Sequence, residues 1–100
     1  MPPTPLTIEC RAVANRMHNA AHICGNTINM RKLVYEDSVT LAQLRAELER
    51  LSAPAEEIAS CAFAIQQVSN VMECEGNVVL ANRLDDSADW VVRACDALDG

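Results

Sequence analysis

Residues 6–24 read LTIECRAVANRMHNAAHIC. Leu6, Cys10, Val13, Met17, Ala20 and Cys24 recur there at alternating spacings of four and three. That rhythm gathers all of them on one side of an α-helix, whereas a strand would turn every second residue the same way. Just upstream, Thr4 followed by Pro5 fits an N-cap with proline at the first helical position. Gly25-Asn26 reads as the stop, or as a kink.

The same rhythm returns downstream. Leu41, Leu44, Leu48 and Leu51 form a second seam, with Thr40 to Gln43 as a capping box. Ser52-Ala53-Pro54 reads as a turn and a new helix start. Ile58, Cys61, Ile65, Val68 and Met72 form a third seam. Gly76-Asn77 ends that helix, and Leu80, Leu84, Ala88, Val91, Cys95 and Leu98 form the last seam, with a possible break at Asp85-Asp86-Ser87. Residues 27–35 fit either a continuation of the first helix or a short helix of their own, and Glu36-Asp37-Ser38 punctuates the chain. The expectation is an all-α fold: a small antiparallel bundle of four main helices near residues 5–25, 38–52, 54–75 and 77–98, with residues 1–100 as one domain.

Composition agrees. Half of the 100 residues are hydrophobic, supplied mainly by Ala, Leu, Val and Ile, while glycine is rare. That is enough for one core without a disulfide or metal staple. No charge occurs between Glu57 and Glu73. A helix uncharged all round is expected to be the central one, or to face a partner.

The formal net charge is -6, unevenly placed. Residues 1–50 carry six Lys/Arg against five Asp/Glu, and residues 51–100 carry Arg83 and Arg93 against nine Asp/Glu. An acidic second half repels nucleic acid and anionic membrane and attracts basic surfaces. No apolar run approaches a membrane span, and Met1 to Pro5 lacks the basic-then-apolar pattern of a secretory signal. Five cysteines, an odd number, do not suggest a disulfide framework, so a reducing cytosol is the expected compartment. Seven Arg against a single Lys suits a GC-rich bacterial or phage coding sequence.

No residue set carries catalytic chemistry. His18 and His22 share a helix face with Arg11 and Asn15, opposite the seam that holds Cys24, so they read as solvent-facing. A metal site would need a third and a fourth ligand from elsewhere, and no Cys-x-x-Cys or His-Glu-x-x-His pattern exists. No cofactor and no metal are expected. Cys10, Cys24, Cys61 and Cys95 fall on seams as small hydrophobes, whereas Cys74 lies opposite its seam between Glu73 and Glu75 and reads as the exposed thiol. Glu56-Glu57 sits in a first helical turn, where the macrodipole favours anions. No phosphate loop or nucleophile motif is present.

Two features point to a partner. Asp85, Asp89, Asp96 and Asp99 lie along one stripe of the last helix, where Arg93 can pair with Asp89. Phe63 and Trp90 lie off their seams, which suits either interface anchors or packing within the domain. In size, acidity, helical seams and lack of a catalytic motif, with Glu73, Glu75, Asp85, Asp86, Asp89, Asp96 and Asp99 as its acidic set, the chain resembles the small phage-encoded anti-CRISPR proteins directed at type I (I-F and I-E) surveillance complexes. The resemblance implies inhibition by occupancy: an acidic surface covers the Lys/Arg residues that receive target DNA, in the cytoplasm of a bacterial host. On that reading Asp85, Asp86, Asp89, Trp90, Asp96, Glu73, Glu75 and Phe63 form the partner-binding set, in a monomer with no enzymatic activity. The partner is a protein or ribonucleoprotein with a basic nucleic-acid-binding surface, with no direct binding of nucleic acid. The competing expectation is a self-associating helical adaptor, chaperone or assembly protein, its uncharged third helix pairing with a second copy.

Overall fold

The structure, a computed structural model, describes residues 3–23 and 27–100. It is all-α, with no strand among the described residues. The order is α1 (Pro5–His22), α2 (Thr27–Lys32), a π-helical turn (Leu33–Asp37), α3 (Ser38–Arg50), α4 (Ala55–Ser69), a 3-10 turn (Val71–Glu73) and α5 (Val78–Asp99). The expected seam residue Cys24 and the stop Gly25-Asn26 lie outside the described residues.

Helix α1 starts as its sequence dictates. Thr4 caps it by accepting from the Thr7 amide, Thr7 Oγ1 accepts from the Thr4 amide at 3.0 Å, and Pro5 opens the first turn. Its seam residues Cys10, Val13, Met17 and Ala20 are fully buried. A second stripe on α1 faces α5, which runs antiparallel beside it. Thr7 and Arg11 meet Asp99, and His18 meets Asp85. Small side chains along this junction, among them Ala14, Ser87 and Ala88, are all buried and let the two helices pack side by side.

Helices α2 and α3 are one continuous rod. The Glu36-Asp37-Ser38 punctuation does not break it: the backbone widens by a π turn there, in which the Ser38 amide reaches the Leu33 carbonyl. The turn directs Asp37 inward, where it receives Nε and a terminal nitrogen of Arg16 at 2.7 and 2.8 Å. The Asp37 side chain is 3% exposed. Burial of a carboxylate is tolerated because this fork satisfies both oxygens. Thr40 accordingly caps nothing, and its hydroxyl donates back to the Glu36 carbonyl.

The rod ends in a Schellman-type turn. The Ala53 amide reaches back to the Leu48 carbonyl and the Ser52 amide to that of Glu49, with Ser52 at φ 52°. Pro54 then starts α4, which packs on α3 and α5. Its buried residues, Cys61, Ala64, Gln67 and Val68, occupy one side, while Ala55, Ala59, Gln66 and Ser69 face solvent. The uncharged helix is therefore not central.

α4 also stops earlier than expected, at Ser69. The 3-10 turn advances 120° per residue rather than 100°, so the third seam goes out of phase. Met72 turns out to 47% exposure, while Val71 and Cys74 are buried. The expectation of an exposed Cys74 is overturned for that reason. Asn77 caps α5, accepting from the Leu80 amide at 3.1 Å. α5 runs unbroken through Asp85-Asp86-Ser87, where Ser87 is buried and its hydroxyl donates to the Arg83 carbonyl. No helix among the described residues is long and apolar enough to cross a membrane.

Candidate interaction surface

The stripe Asp85, Asp89, Asp96, Asp99 is ion-paired, although the Asp89 and Asp96 side chains stay 69% and 63% exposed. It lines the α1–α5 junction, and α1 supplies its partners. One Arg11 nitrogen lies 2.9 Å from both Asp96 and Asp99. The Thr7 hydroxyl also donates to Asp99, at 2.9 Å. The Arg11 guanidinium, helped by this hydroxyl, holds the Asp99 carboxyl below its ordinary value. His18 Nδ1 lies 2.5 Å from Asp85, His18 Nε2 lies 3.3 Å from Asp89, and His22 Nε2 lies 3.3 Å from Asp85. His18, with a side chain 32% exposed, is thus a packing residue of the junction, not a solvent-facing one. The expected Arg93–Asp89 pair is replaced by His18–Asp89.

These two histidines and two aspartates are paired off. His18 directs its two nitrogens at different carboxylates, so their donor atoms do not surround one point. Among the described residues no set of three or more His, Cys, Asp or Glu side chains is arranged to hold a metal ion.

The remaining residues of the expected set are scattered. Asp86 is exposed on the outer ridge of α5. Glu73 and Glu75 are exposed beyond the C-terminal end of α4. Phe63 and Trp90 meet across the α4–α5 junction, with ring centroids 5.2 Å apart and planes tilted by 54°. Such a tilted pair fixes both rings. Each is partly buried, so Trp90 serves intramolecular packing and still reaches the surface.

Beside Trp90 lies an open groove of about 500 Å³ between the start of α4 and the second half of α5. Pro54, Glu56, Glu57, Ala59, Ser60, Trp90, Arg93 and Ala94 line it. Ala59 and Ala94 are too small to fill the space between the helices, which leaves the groove open. Glu56 and Glu57 close one wall, and Arg93 is the cation of the other. The exposed uncharged residues of α4 continue from it along the molecular surface. Sequence reasoning gave Glu56-Glu57 a helix-end role alone. The available signal was the charge-free run that begins after Glu57.

A second surface feature is apolar. Ile23, Ile28, Met72, Val78 and Val79 are all between 47% and 82% exposed. They lie at the end of the bundle where α1 finishes, α2 and α5 begin, and the 3-10 turn packs on both of these.

Compared with known protein families, curated proteins and solved structures, the chain matches none.

Proposed function

We propose that this chain is a non-catalytic inhibitor of the anti-CRISPR kind. It binds a type I surveillance complex on the basic surface that receives target DNA, and blocks that surface by occupancy. The observation that carries this reading is the α4–α5 groove. An aromatic anchor, Trp90, is held in place by Phe63 beside two carboxylates and an uncharged helix face. Buried aromatic anchors supply affinity, and carboxylates at the rim select a basic partner and speed its encounter. An Arg or Lys of the partner can enter the groove with its charge against Glu56 and Glu57 and its stem on the Trp90 ring. The acidic half of the chain adds long-range attraction. On this reading the docking centre is Trp90, Glu56 and Glu57, with Asp86 on the flank. Asp85, Asp89 and Asp96 serve chiefly to join α1 to α5.

The test titrates purified type I-F or I-E surveillance complex with the chain and follows target DNA by mobility shift. DNA binding should be lost as the complex fills, and the inhibition should weaken as salt rises. Trp90→Ala, and Glu56→Lys combined with Glu57→Lys, should each weaken inhibition by about tenfold or more with helicity unchanged. Failure of the chain to co-elute with either complex, or full inhibition by the groove variants, would refute the proposal.

The exposed apolar end favours a second reading, a self-associating assembly protein. A dimer mass by light scattering at low micromolar concentration, lost in Ile28→Asp, would support that reading instead.

A further inference from the structure

The α2–α3 rod buries Met30, Leu33, Asp37, Leu41, Leu44 and Leu48 along one side. Two positions before each of them stands an exposed residue: Ile28, Arg31, Tyr35, Val39, Ala42 and Ala46. Two residues turn a helix by about 200°, so these form a ridge on the side away from the core. Ile28, Tyr35 and Val39 are 82%, 75% and 56% exposed. Single apolar residues on a surface are ordinary, but large ones in line, followed by two alanines, repeat the spacing of a helix-pairing seam.

One end of the ridge is hollowed. Ile28, Arg31, Lys32 and Tyr35 stand at i, i+3, i+4 and i+7, and with Glu36 they line an open hollow of about 390 Å³. Four residues at that spacing make the hole that receives one side-chain knob when two helices pair. Its walls are the apolar bodies of Ile28 and Tyr35 and the carbon stems of the two cations. Beyond it, Ala42 and Ala46 leave a low track along which a second helix can approach closely.

Charge selects the occupant. Every carboxylate of the rod is already taken: Asp37 by Arg16, Glu36 by Lys32 at 3.1 Å, Glu49 by Arg45 at 3.2 Å and Glu47 by Arg50. Arg31, on the ridge and in the wall of the hollow, has no ion-pair partner among the described residues. We propose that the ridge is a second docking surface, for an amphipathic helix of a partner protein that presents an apolar knob to the hollow and a carboxylate to Arg31. It shares no residue with the α4–α5 groove, and it stands whether or not that groove binds a surveillance complex.

The probe is a fluorescently labelled helical peptide of about four heptads, with Leu at its core positions and Glu at the flanking ones, whose like charges keep it from pairing with itself. Titrated with the full chain at about 150 mM salt and followed by anisotropy, it should bind with a Kd on the order of 10 µM. Tyr35→Ala and Arg31→Glu should each weaken binding by about tenfold, and Arg31→Lys should keep most of it. Arg83→Glu makes the same change in net charge at an exposed position of α5, and it should stay within about twofold of the parent. All three positions are exposed, so circular dichroism should report the parent fold. The absence of binding at about 200 µM chain overturns the proposal. So does unchanged binding by Tyr35→Ala, or equal weakening by Arg31→Glu and Arg83→Glu. A dimer by light scattering that Tyr35→Ala disperses overturns it too, since a second copy would then cover the ridge.

Discussion

Leu44 has no solvent exposure, and it lies on α3, which packs against α4. Met72 belongs to an equally regular apolar series in the sequence but is 47% exposed. The two residues therefore separate seam membership from burial. Leu44→Ala should cost about 3 kcal/mol, from lost transfer energy and the cavity left behind. Met72→Ala should stay within about 0.5 kcal/mol, as exposed substitutions do. Urea unfolding of both variants checks this, and equal losses would mean that the 3-10 turn does not carry Met72 out of the core. Periodicity identified Cys10, Val13, Met17, Leu41, Leu44, Leu48, Leu84, Val91 and Cys95 as core because each stands in an uninterrupted helix. It misplaced Cys74 and Met72 because a three-residue change of helix type carries no apolar signature of its own.

At the scale of elements, the π turn and the ion pair it presents hold α1 against the α2–α3 rod. Asp37 is nearly inaccessible, and among the described residues only Arg16 pairs with it. The sequence showed Glu36-Asp37-Ser38 as punctuation, since polar residues in a row ordinarily end a helix. What overrides that reading is a partner 21 residues away, which local pattern cannot reveal. Removing one member of a buried pair strands the other, so Arg16→Met should destabilise the fold by about 3 kcal/mol. Arg16→Met combined with Asp37→Leu should recover to within about 1 kcal/mol of the parent, because no charge is then left buried. A double-mutant cycle by urea denaturation measures both. If the double variant loses as much as the single losses combined, the pair is not coupled as described.

Taken as a whole, the molecule uses its charge in two ways. The α1–α5 junction consumes carboxylates internally, through Arg11, His18 and His22, while Glu56, Glu57, Asp86, Glu73 and Glu75 take part in no ion pair of the junction. The stripe on α5 was legible in the sequence as a stripe, but its use was not, because the basic residues that meet it lie 63 to 88 positions earlier. The two uses are separable by experiment. Asp85→Lys with Asp89→Lys, and Glu73→Lys with Glu75→Lys, each raise the formal net charge from -6 to -2. Long-range attraction to a basic partner falls by a similar amount in both, so their association rates should slow alike. Stability should not. The first pair sets two ammonium groups against His18 and His22, where Asp85 is only 34% exposed, and the melting midpoint should fall by roughly 5 °C. The second pair sits on exposed positions, and its midpoint should stay within about 2 °C. Thermal melts followed by circular dichroism at one pH and salt concentration make the comparison. Equal midpoints would mean that the histidine–aspartate contacts contribute nothing to holding α1 on α5. An impaired partner titration by Asp85→Lys with Asp89→Lys can be assigned to the docking surface only after this loss of stability has been subtracted.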